Sequence, residues 1–348
     1  MISLAVTILS LLFFAAPLHA AEIEFRASGA NAVTRALGDK VSDTINALDY
    51  ATGDGVTDDT AAIQNAIDAV PSRGTLYFGC GRYKVSGSGS EVFFRDKPIN
   101  LVGEGNCAQI DVKDVAATTD LFRFVPSADF ARGWSVIGLE VTYVSATTPV
   151  RHFLHFDSTT NDTTYFTAVN IENNRVQPIN GNAVYANNSL TNIGGGFHTS
   201  RIIRNSFVNP IWLSNAGDHI LVADNVLSGN SGTPNPCVYY NQIQGAGNLR
   251  IIGNVMSCHA GMIIGDAGAA VVIAFNILEQ HGVNSDANNA LIDLRGGVRT
   301  IDGATIIGNQ ITVPTVGMTG DPIPIYIGAT ERVIATSNQI RTANAYPH

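Results

Sequence analysis

One short pattern recurs seven times and limits the fold more than any other feature of the chain. Two or more β-branched or aliphatic residues are followed by a spacer, an asparagine, any residue and an apolar residue. The copies are VNIENNRV (169–176), RIIRNSFV (201–208), LVADNVL (221–227), RIIGNVM (250–256), VVIAFNIL (271–278), TIIGNQI (305–311) and VIATSNQI (333–340). The asparagines are Asn174, Asn205, Asn225, Asn254, Asn276, Asn309 and Asn338, at spacings of 31, 20, 29, 22, 33 and 29 residues. A period of roughly 20–30 residues around strand-like cores is a solenoid signature. In a parallel β-helix, stacked coils put equivalent residues roughly 4.8 Å apart. Asparagine at one corner tolerates unusual backbone angles, and its amide can bond its counterpart in the next coil. Unequal spacings then mean that loops of different length leave the coils at fixed corners. A β-sandwich or propeller also alternates apolar and polar residues, but gives no reason for one asparagine per repeat at one corner.

A second strand precedes each asparagine pattern. Its cores align as Phe122-Arg123-Phe124, Leu154-His155-Phe156, Val184-Tyr185-Ala186, Ile211-Trp212-Leu213, Val238-Tyr239-Tyr240, Met262-Ile263-Ile264, Ile292-Asp293-Leu294 and Ile325-Tyr326-Ile327. Strand side chains alternate, so the apolar flanks point inward and the middle residue outward. This gives eight coils, with one or two more near Leu76–Phe78 and Ile99–Val102. Ahead of them, Ile63, Ala66, Ile67 and Val70 fall at i, i+3, i+4 and i+7. That stripe predicts one helix, N-capped by Thr57 or Asp58, lying over the first coil. Asp54, Asp58 and Asp59 read as its capping and dipole-complementing acids rather than as a catalytic or metal cluster.

The first twenty residues carry a different signal. Ile2 to Ala16 is an almost unbroken apolar run, followed by Pro17 and then Leu18-His19-Ala20-Ala21. It reads as a signal peptide over residues 1–20, short of the roughly 20 apolar residues that span a bilayer. The protein is therefore expected to be secreted or periplasmic, with no membrane attachment after cleavage. Residues 21–52 read as an N-terminal lead-in and 53–348 as the β-helix domain. The 34 glycines and only 14% charged residues suit many tight turns and strands. A net charge of −9 argues against nucleic acid and anionic membrane surfaces as partners. Four cysteines in an exported chain point to disulfides. Cys80–Cys107 and Cys237–Cys258 are the expected pairs, because separations of 27 and 21 residues each match about one coil. There is no C-x-x-C spacing, so neither a zinc site nor another cofactor is expected.

The segment Gly53-Asp54-Gly55-Val56-Thr57-Asp58-Asp59-Thr60-Ala61-Ala62-Ile63-Gln64 resembles the opening motif of the pectate-lyase-like superfamily, most of all the rhamnogalacturonase/epimerase-type pectate lyase domain. Upstream, VTRALGDKVSDTINALDYATGDG (33–55) is similar to the lead-in of phage tailspike depolymerases. The resemblance covers residues 33–110. It implies a right-handed, single-stranded parallel β-helix, all-β apart from an N-terminal capping helix, that acts on a polysaccharide; a homotrimer is an assembly it allows. Hydrolases of the polygalacturonase family carry an Asp-Asp step followed by Gly-His-Gly. The nearest segments here, Gly217-Asp218-His219 and Cys258-His259-Ala260-Gly261, do not keep that motif, so no catalytic residue is carried over.

The candidate chemistry lies on the outward row of the second-strand sheet: Arg123, His155, Tyr185, Trp212, Tyr239, Ile263, Asp293 and Tyr326. The next outward positions add Asp157, Asn187, Ser214, Asn241, Gly265 and Arg295. Exposed aromatics with polar tips would form a platform on which sugar rings stack, although aromatics also favour exposed strand positions for no functional reason. Trp212, Tyr185 and Tyr326, with His155 and Asp157, are the candidate substrate-binding residues. Asp293 and Arg295, beside Asp266 from the preceding coil and Tyr239 two coils back, are the candidate catalytic cluster. A lyase needs a cation for the enolate-like charge and a base for the C5 proton, roles that fit Arg295 and Tyr239. The bland alternative is a same-face ion pair of little worth. Asp266 and Asp293, from adjacent coils, could come within the ~5–9.5 Å of a glycosidase carboxylate pair, whereas Asp157 and Asp293 stand five coils, roughly 24 Å, apart. His155 with Asp157 is a second candidate base. His152 and His155 have a metal-like spacing, but residues three apart on a strand face opposite sides, so no metal is expected. The expected function is a secreted polysaccharide-degrading enzyme, lyase or glycoside hydrolase. A non-catalytic carbohydrate-binding scaffold and a polysaccharide epimerase are the alternatives, and fold alone does not separate them.

Overall fold

The computed structural model of the chain describes residues 24–26, 34–36 and 43–343, except 128–130, 144–149, 160–164, 189–195, 215–216, 230–235, 242–246, 259, 266–269, 281–289, 296–300, 315–322 and 329. The expected signal peptide, residues 1–20, lies outside the described residues, as do Asp266, His259 and His281. Two compact units are present, Met1–Ser42 and Asp43–His348. In the first, Glu24–Arg26 and Thr34–Ala36 pair antiparallel.

The second unit is the parallel β-helix. Its described strands form three long sheets. Sheet I has nine strands, from Glu91–Arg95 to Ile323–Ile327. Sheet II has eleven, from Thr44–Asn46 to Thr330–Thr336, and sheet III has eleven, from Asp54–Asp58 to Gln339–Ala343. The chain visits the three in order once per coil. Ile211–Ser214, Ile220–Ala223 and Val226–Ser228 make one coil, and Pro236–Asn241, Leu249–Ile252 and Val255–Cys258 make the next. Each strand pairs in parallel with its equivalent one coil away, as in Trp212 opposite Tyr239 and Leu221 opposite Arg250. Sheet II starts at Thr44, well ahead of the first coil expected near Leu76.

Alternation puts the expected residues inside. Phe93, Phe122, Leu154, Val184, Ile211, Val238, Met262 and Ile292 form one buried row of sheet I. The first coils are filled by aromatics: Phe93 to Phe122 at 5.1 Å between ring centres, Phe124 to Phe156 at 5.1 Å, and Trp134 against Phe124 at 5.0 Å. Later coils fill most of the same positions with Val, Ile, Leu and Met, with Tyr240 as a buried ring among them. In the last coil Ile327 and Ile340, opposite the buried Leu294 and Ile311, are exposed, because no further described coil covers them.

A single α-helix, α1 (Thr60–Ala69), stands among the described residues and buries Ile63, Ala66 and Ile67 against strands of sheets I and III. The acids before it act differently from expectation. Asp59, not Thr57 or Asp58, stands at the N-cap, and its side chain makes no bond to the helix. It accepts instead from the N–H and hydroxyl of Thr52 and the N–H of Gly53. Asp58 accepts from the Thr60 N–H at 3.0 Å. Asp54 accepts from the N–H groups of Thr57 and Val56, which hold its carboxyl down at about 2. All three carboxylates are thus used on local backbone. At the other end, the buried guanidinium of Arg95 donates to the carbonyls of Ile67 and Val70 and satisfies the last turn of α1. Cys80 is joined to Cys107 and Cys237 to Cys258, with Cα atoms 4.6 and 5.6 Å apart.

The seven asparagines form one ladder at the corner between sheets II and III, buried from Asn174 to Asn309 and half-buried at Asn338. The Nδ2 of Asn174 donates to Oδ1 of Asn205 at 3.1 Å, and the same bond runs from Asn205 to Asn225, Asn225 to Asn254, Asn254 to Asn276, Asn276 to Asn309 and Asn309 to Asn338 at 2.9–3.0 Å. Each Oδ1 also accepts the backbone N–H of the asparagine before it, as Asn254 does from Asn225 at 3.0 Å. The left-handed backbone angle falls not on the asparagine but on the residue ahead of it: Asn173, Arg204, Asp224, Gly253, Phe275, Gly308 and Ser337 all have positive φ. That residue turns the corner, and the asparagine, already inward, closes it. Replacing Asn254 by Ala removes the acceptor of two Asn225 donors and the side-chain donor to the Val222 carbonyl in a dry corner, while the Ile252 carbonyl keeps the N–H of Asp224. Urea unfolding of Asn254→Ala should show a loss of about 2–4 kcal/mol; a loss below about 0.5 kcal/mol would mean that the ladder is a passenger.

Candidate functional site

Sheet I places the outward residues in one register row: Arg123, His155, Tyr185, Trp212, Tyr239, Ile263, Asp293 and Tyr326 are successive partners across its strands. The row is less open than alternation alone implies. His155, Asp157, Ile263 and Asp293 are buried, and Tyr185, Trp212, Tyr239 and Tyr326 are half-buried. Nor is it a flat platform. The rings of Trp212 and Tyr239 stack at 3.8 Å between centres with planes 12° apart. Their normals therefore run along the row. A sugar chain lying on the row meets ring edges, with the indole N–H and the phenol hydroxyl, rather than ring faces. Tyr185 stacks on His152 at 4.3 Å and 10° and has one face occupied as well.

The densest polar cluster surrounds His155. Its Nδ1 lies 2.6 Å from Oδ2 of Asp120. Asp120 is fully buried and also receives a two-pronged contact from Arg151, at 2.8 and 2.6 Å. Burial pushes the Asp120 carboxyl up, but the bonds from His155 and Arg151 outweigh it and hold it below the ordinary range. An ionised Asp120 accepts only, so Nδ1 donates to it, and in the neutral imidazole the lone pair is on Nε2. That Nε2 is buried and has no hydrogen-bond partner among the described residues. Asp157 does not orient His155. It is held by Arg123, through Nη2 at 2.7 Å and Nε at 3.2 Å, and by the N–H of Thr159 at 2.9 Å. Burial again pushes its carboxyl up, and the Thr159 and Arg123 bonds hold it down. Arg123 reaches on to Glu91 at 3.1 Å. Glu91–Arg123–Asp157 and Arg151–Asp120–His155 thus form two adjacent three-residue chains.

At the other end of the row, Asp293 pairs with Arg295 from the same strand, Nε to Oδ2 at 3.0 Å. Asp293 is 2% exposed and its Oδ1 has no partner, so this is a buried pair and not the surface pair that spacing alone suggests. Tyr239 stands two strands away, stacked on Trp212, with Ile263 between it and Asp293.

Asp120, Arg151 and Glu91 escaped the sequence reading. A signal for them exists. The position two residues before each inward core holds Glu91, Asp120, His152, Asn182 and Asn209 in the first five coils of sheet I, then Pro236, Ala260, Ala290 and Ile323. The polar half of that column marks the coils that hold the cluster. The expectation that His152 and His155 face apart also fails: His152 lies just before strand Leu154–Ser158, where alternation does not apply, and the two rings approach to 5.7 Å. They share no metal geometry, since the Nδ1 of His152 accepts from the N–H of Asn182 at 2.9 Å while His155 faces Asp120. Among the described residues, no helix is long and apolar enough to cross a membrane.

The family described as Rhamnogalacturonase A/epimerase, pectate lyase-like matches residues 44–233, more than half of the chain. No curated protein matches it. Among solved structures, a tailspike protein variant of E. coli bacteriophage HK620 in complex with a pentasaccharide is similar with a TM-score of 0.53 and 13% identity, over 93% of this chain and 71% of that one. A double variant of the same tailspike gives 0.51 and 14% over the same shares. The A-module of the Azotobacter vinelandii mannuronan C-5 epimerase AlgE6 gives 0.46 and 18%, over 86% of this chain and 87% of that one. At these identities the likeness is one of fold.

The buried imidazole of His152 sets a pH test of this region. Burial is the main cause that pushes it down to about 3. The unfolded chain takes up that proton near pH 6.5, so the native state loses stability as pH falls from about 6.5 toward 3. The parent should lose up to about 1.4 kcal/mol per pH unit from this group in that window, and His152→Gln should lose correspondingly less. Equal slopes in parent and variant, followed by chemical denaturation at pH 7, 6, 5 and 4, would show that His152 titrates as in water.

Proposed function

The chain belongs to the Rhamnogalacturonase A/epimerase, pectate lyase-like family, and from that premise we propose that it binds an acidic polysaccharide lengthwise on the outward face of sheet I and transfers a proton at His155. The observation that carries this reading is the imidazole itself, oriented through Nδ1 by an ionised Asp120 and left with a buried Nε2 that has no partner among the described residues. In a hexuronan, the proton on C5 is acidified by the neighbouring carboxylate. Nε2 would take that proton, the charge would pass to the carboxylate, and the resulting imidazolium would be stabilised by Asp120. Loss of the C4 oxygen gives a lyase; return of a proton from the opposite face gives an epimerase. Arg123 and Arg151 are the cations beside the imidazole. Glycoside hydrolysis suits the cluster less well, because it needs a protonated carboxyl as acid, and Asp120 and Asp157 are both held in the ionised state.

The buried state of Nε2 means that substrate entry displaces the side chains that cover it. Tyr185, with its ring centre 5.0 Å from that of His155, is the neighbour on the side of the aromatic row. Trp212 and Tyr239 offer edges and polar tips to the chain as it leaves the cluster, and Asp293 with Arg295 holds its far end. In this reading the latter pair and Tyr239 act on binding rather than on the proton. The leading apolar segment and the two disulfides support export to the periplasm or beyond.

A panel of uronic-acid polysaccharides tests the assignment through three readouts: ultraviolet absorbance of unsaturated ends, new reducing ends, and exchange of C5 protons with deuterium. The expected result is unsaturation or deuterium exchange, lost by at least about 100-fold in His155→Gln. Asp120→Asn should keep some activity with a shifted pH profile. Trp212→Ala should weaken oligosaccharide binding by about 1–2 kcal/mol, through lost contact area, and Asp293→Asn should raise KM more than it lowers kcat. New reducing ends without unsaturation, or full activity in His155→Gln, would overturn the proton-transfer reading.

A further inference from the structure

A second polar concavity lies on a different sheet. Sheet II carries Leu221 and Arg250 as outward register partners on adjacent strands. Beside them, His219 and Asn248 stand just before those strands. Together with Ile220 they line a cavity of about 380 Å³. That is within the range of small-ligand pockets and large enough for one or two sugar rings.

The hydrogen bonds around it leave a defined set of free groups. Asp218 is bracketed by two imidazoles, with Oδ1 2.9 Å from Nδ1 of His198 and Oδ2 3.0 Å from Nδ1 of His219. Its charge is therefore turned away from the cavity and spent on the histidines. With Nδ1 of His219 donating to Asp218, Nε2 accepts, and the Nδ2 of Asn248 lies 3.3 Å from it. The contact with His219, itself paired with Asp218, holds the Asn248 carboxamide at the edge of the cavity. Arg250 is exposed, and its side chain makes no hydrogen bond or ion pair among the described residues. In a protein of net charge −9, an uncompensated guanidinium on the rim of a cavity is an unspent anion-binding group. The floor, Leu221 with Ile220, is apolar.

We propose that this cavity binds a single hexuronate unit, with its carboxylate on Arg250, a hydroxyl on Asn248 and a C–H face on Leu221. Each of the three parts of the ligand answers one part of the wall. A phosphate or sulfate would satisfy Arg250 but leave the apolar floor bare, and a neutral hexose would leave Arg250 unpaired. The site is on another sheet from the row that carries His155 and Trp212, so it does not depend on the catalytic reading.

The test is a ligand-observed NMR titration of the full chain with D-galacturonate, D-glucuronate, D-galactose and inorganic sulfate. Saturable binding of at least one hexuronate is expected, weakened about tenfold or more in Arg250→Gln. Galactose and sulfate should bind at least about tenfold more weakly. Arg250 is exposed, so its replacement leaves the fold intact, and unfolding midpoints of parent and variant should coincide. The proposal is overturned if neither hexuronate binds, if Arg250→Gln binds like the parent, if sulfate or galactose competes on equal terms, or if His155→Gln rather than Arg250→Gln removes the binding. The last outcome would place the hexuronate on sheet I and leave that face's assignment standing.

Discussion

Hydrogen bonding along the solenoid axis, carried by the backbone in three sheets and by the asparagine ladder at one corner, is the interaction on which the remaining structure depends. Each ladder asparagine uses one oxygen to hold both the amide and the backbone N–H of its neighbour. That oxygen cannot move by one residue without leaving two buried donors unpaired, a cost of order 2 kcal/mol or more. The corner is therefore pinned, and so is the strand register on either side of it. Loops may vary in length by more than ten residues from coil to coil, as the 20 to 33 residue spacings require, without shifting the rows.

Pinned rows are what make a site. A residue type chosen at one position in each of several coils becomes a line of side chains about one strand spacing apart. On sheet I the first coils place acids, arginines and histidines in such a line, and the middle coils place aromatics. The line does two things with charge. It keeps Asp120 and Asp157 ionised against burial by giving each a cation. It also drives His152 to remain neutral. His155 stands between these two treatments, oriented by Asp120 and open at one nitrogen. Sheet II, one corner away, offers a separate line in which Arg250 is left unpaired among the described residues.

How much of this was legible depended on range. The asparagine repeat and the period-two cores fixed the coils, and the outward row of eight residues followed because alternation within a strand is a local rule. The disulfide partners were readable for the same reason, since a coil-length separation stacks them. What alternation does not specify is the behaviour of residues just outside a strand. Arg151 and His152 sit at the corner before strand Leu154–Ser158, where backbone turns redirect side chains, and Asp120 opens strand Asp120–Phe124; their meeting with His155 is set at that corner. Asp157 was the nearest carboxylate in sequence, but Arg123 in the adjacent strand claims it. The stacking of Trp212 on Tyr239 was equally hidden: register predicts that two rings are neighbours, while only the side-chain torsions decide whether they show faces or edges. The helix stripe was visible, yet its C-terminal carbonyls are satisfied by Arg95 from a later strand, a partner that no helix signal contains.

The central claim is that the axial row of sheet I, and not the sheet II or sheet III faces, receives a polysaccharide chain with its reactive unit at His155. A crystal structure of the protein with a bound uronic-acid oligosaccharide, in the His155→Gln form if the parent turns it over, tests this most directly. The account predicts sugar density running parallel to the solenoid axis over residues 155, 185, 212 and 239, with C5 of one unit within about 3–3.5 Å of the position of the ring nitrogen. Density that crosses the coils at a right angle, or that occupies another sheet while sheet I stays empty, would contradict it.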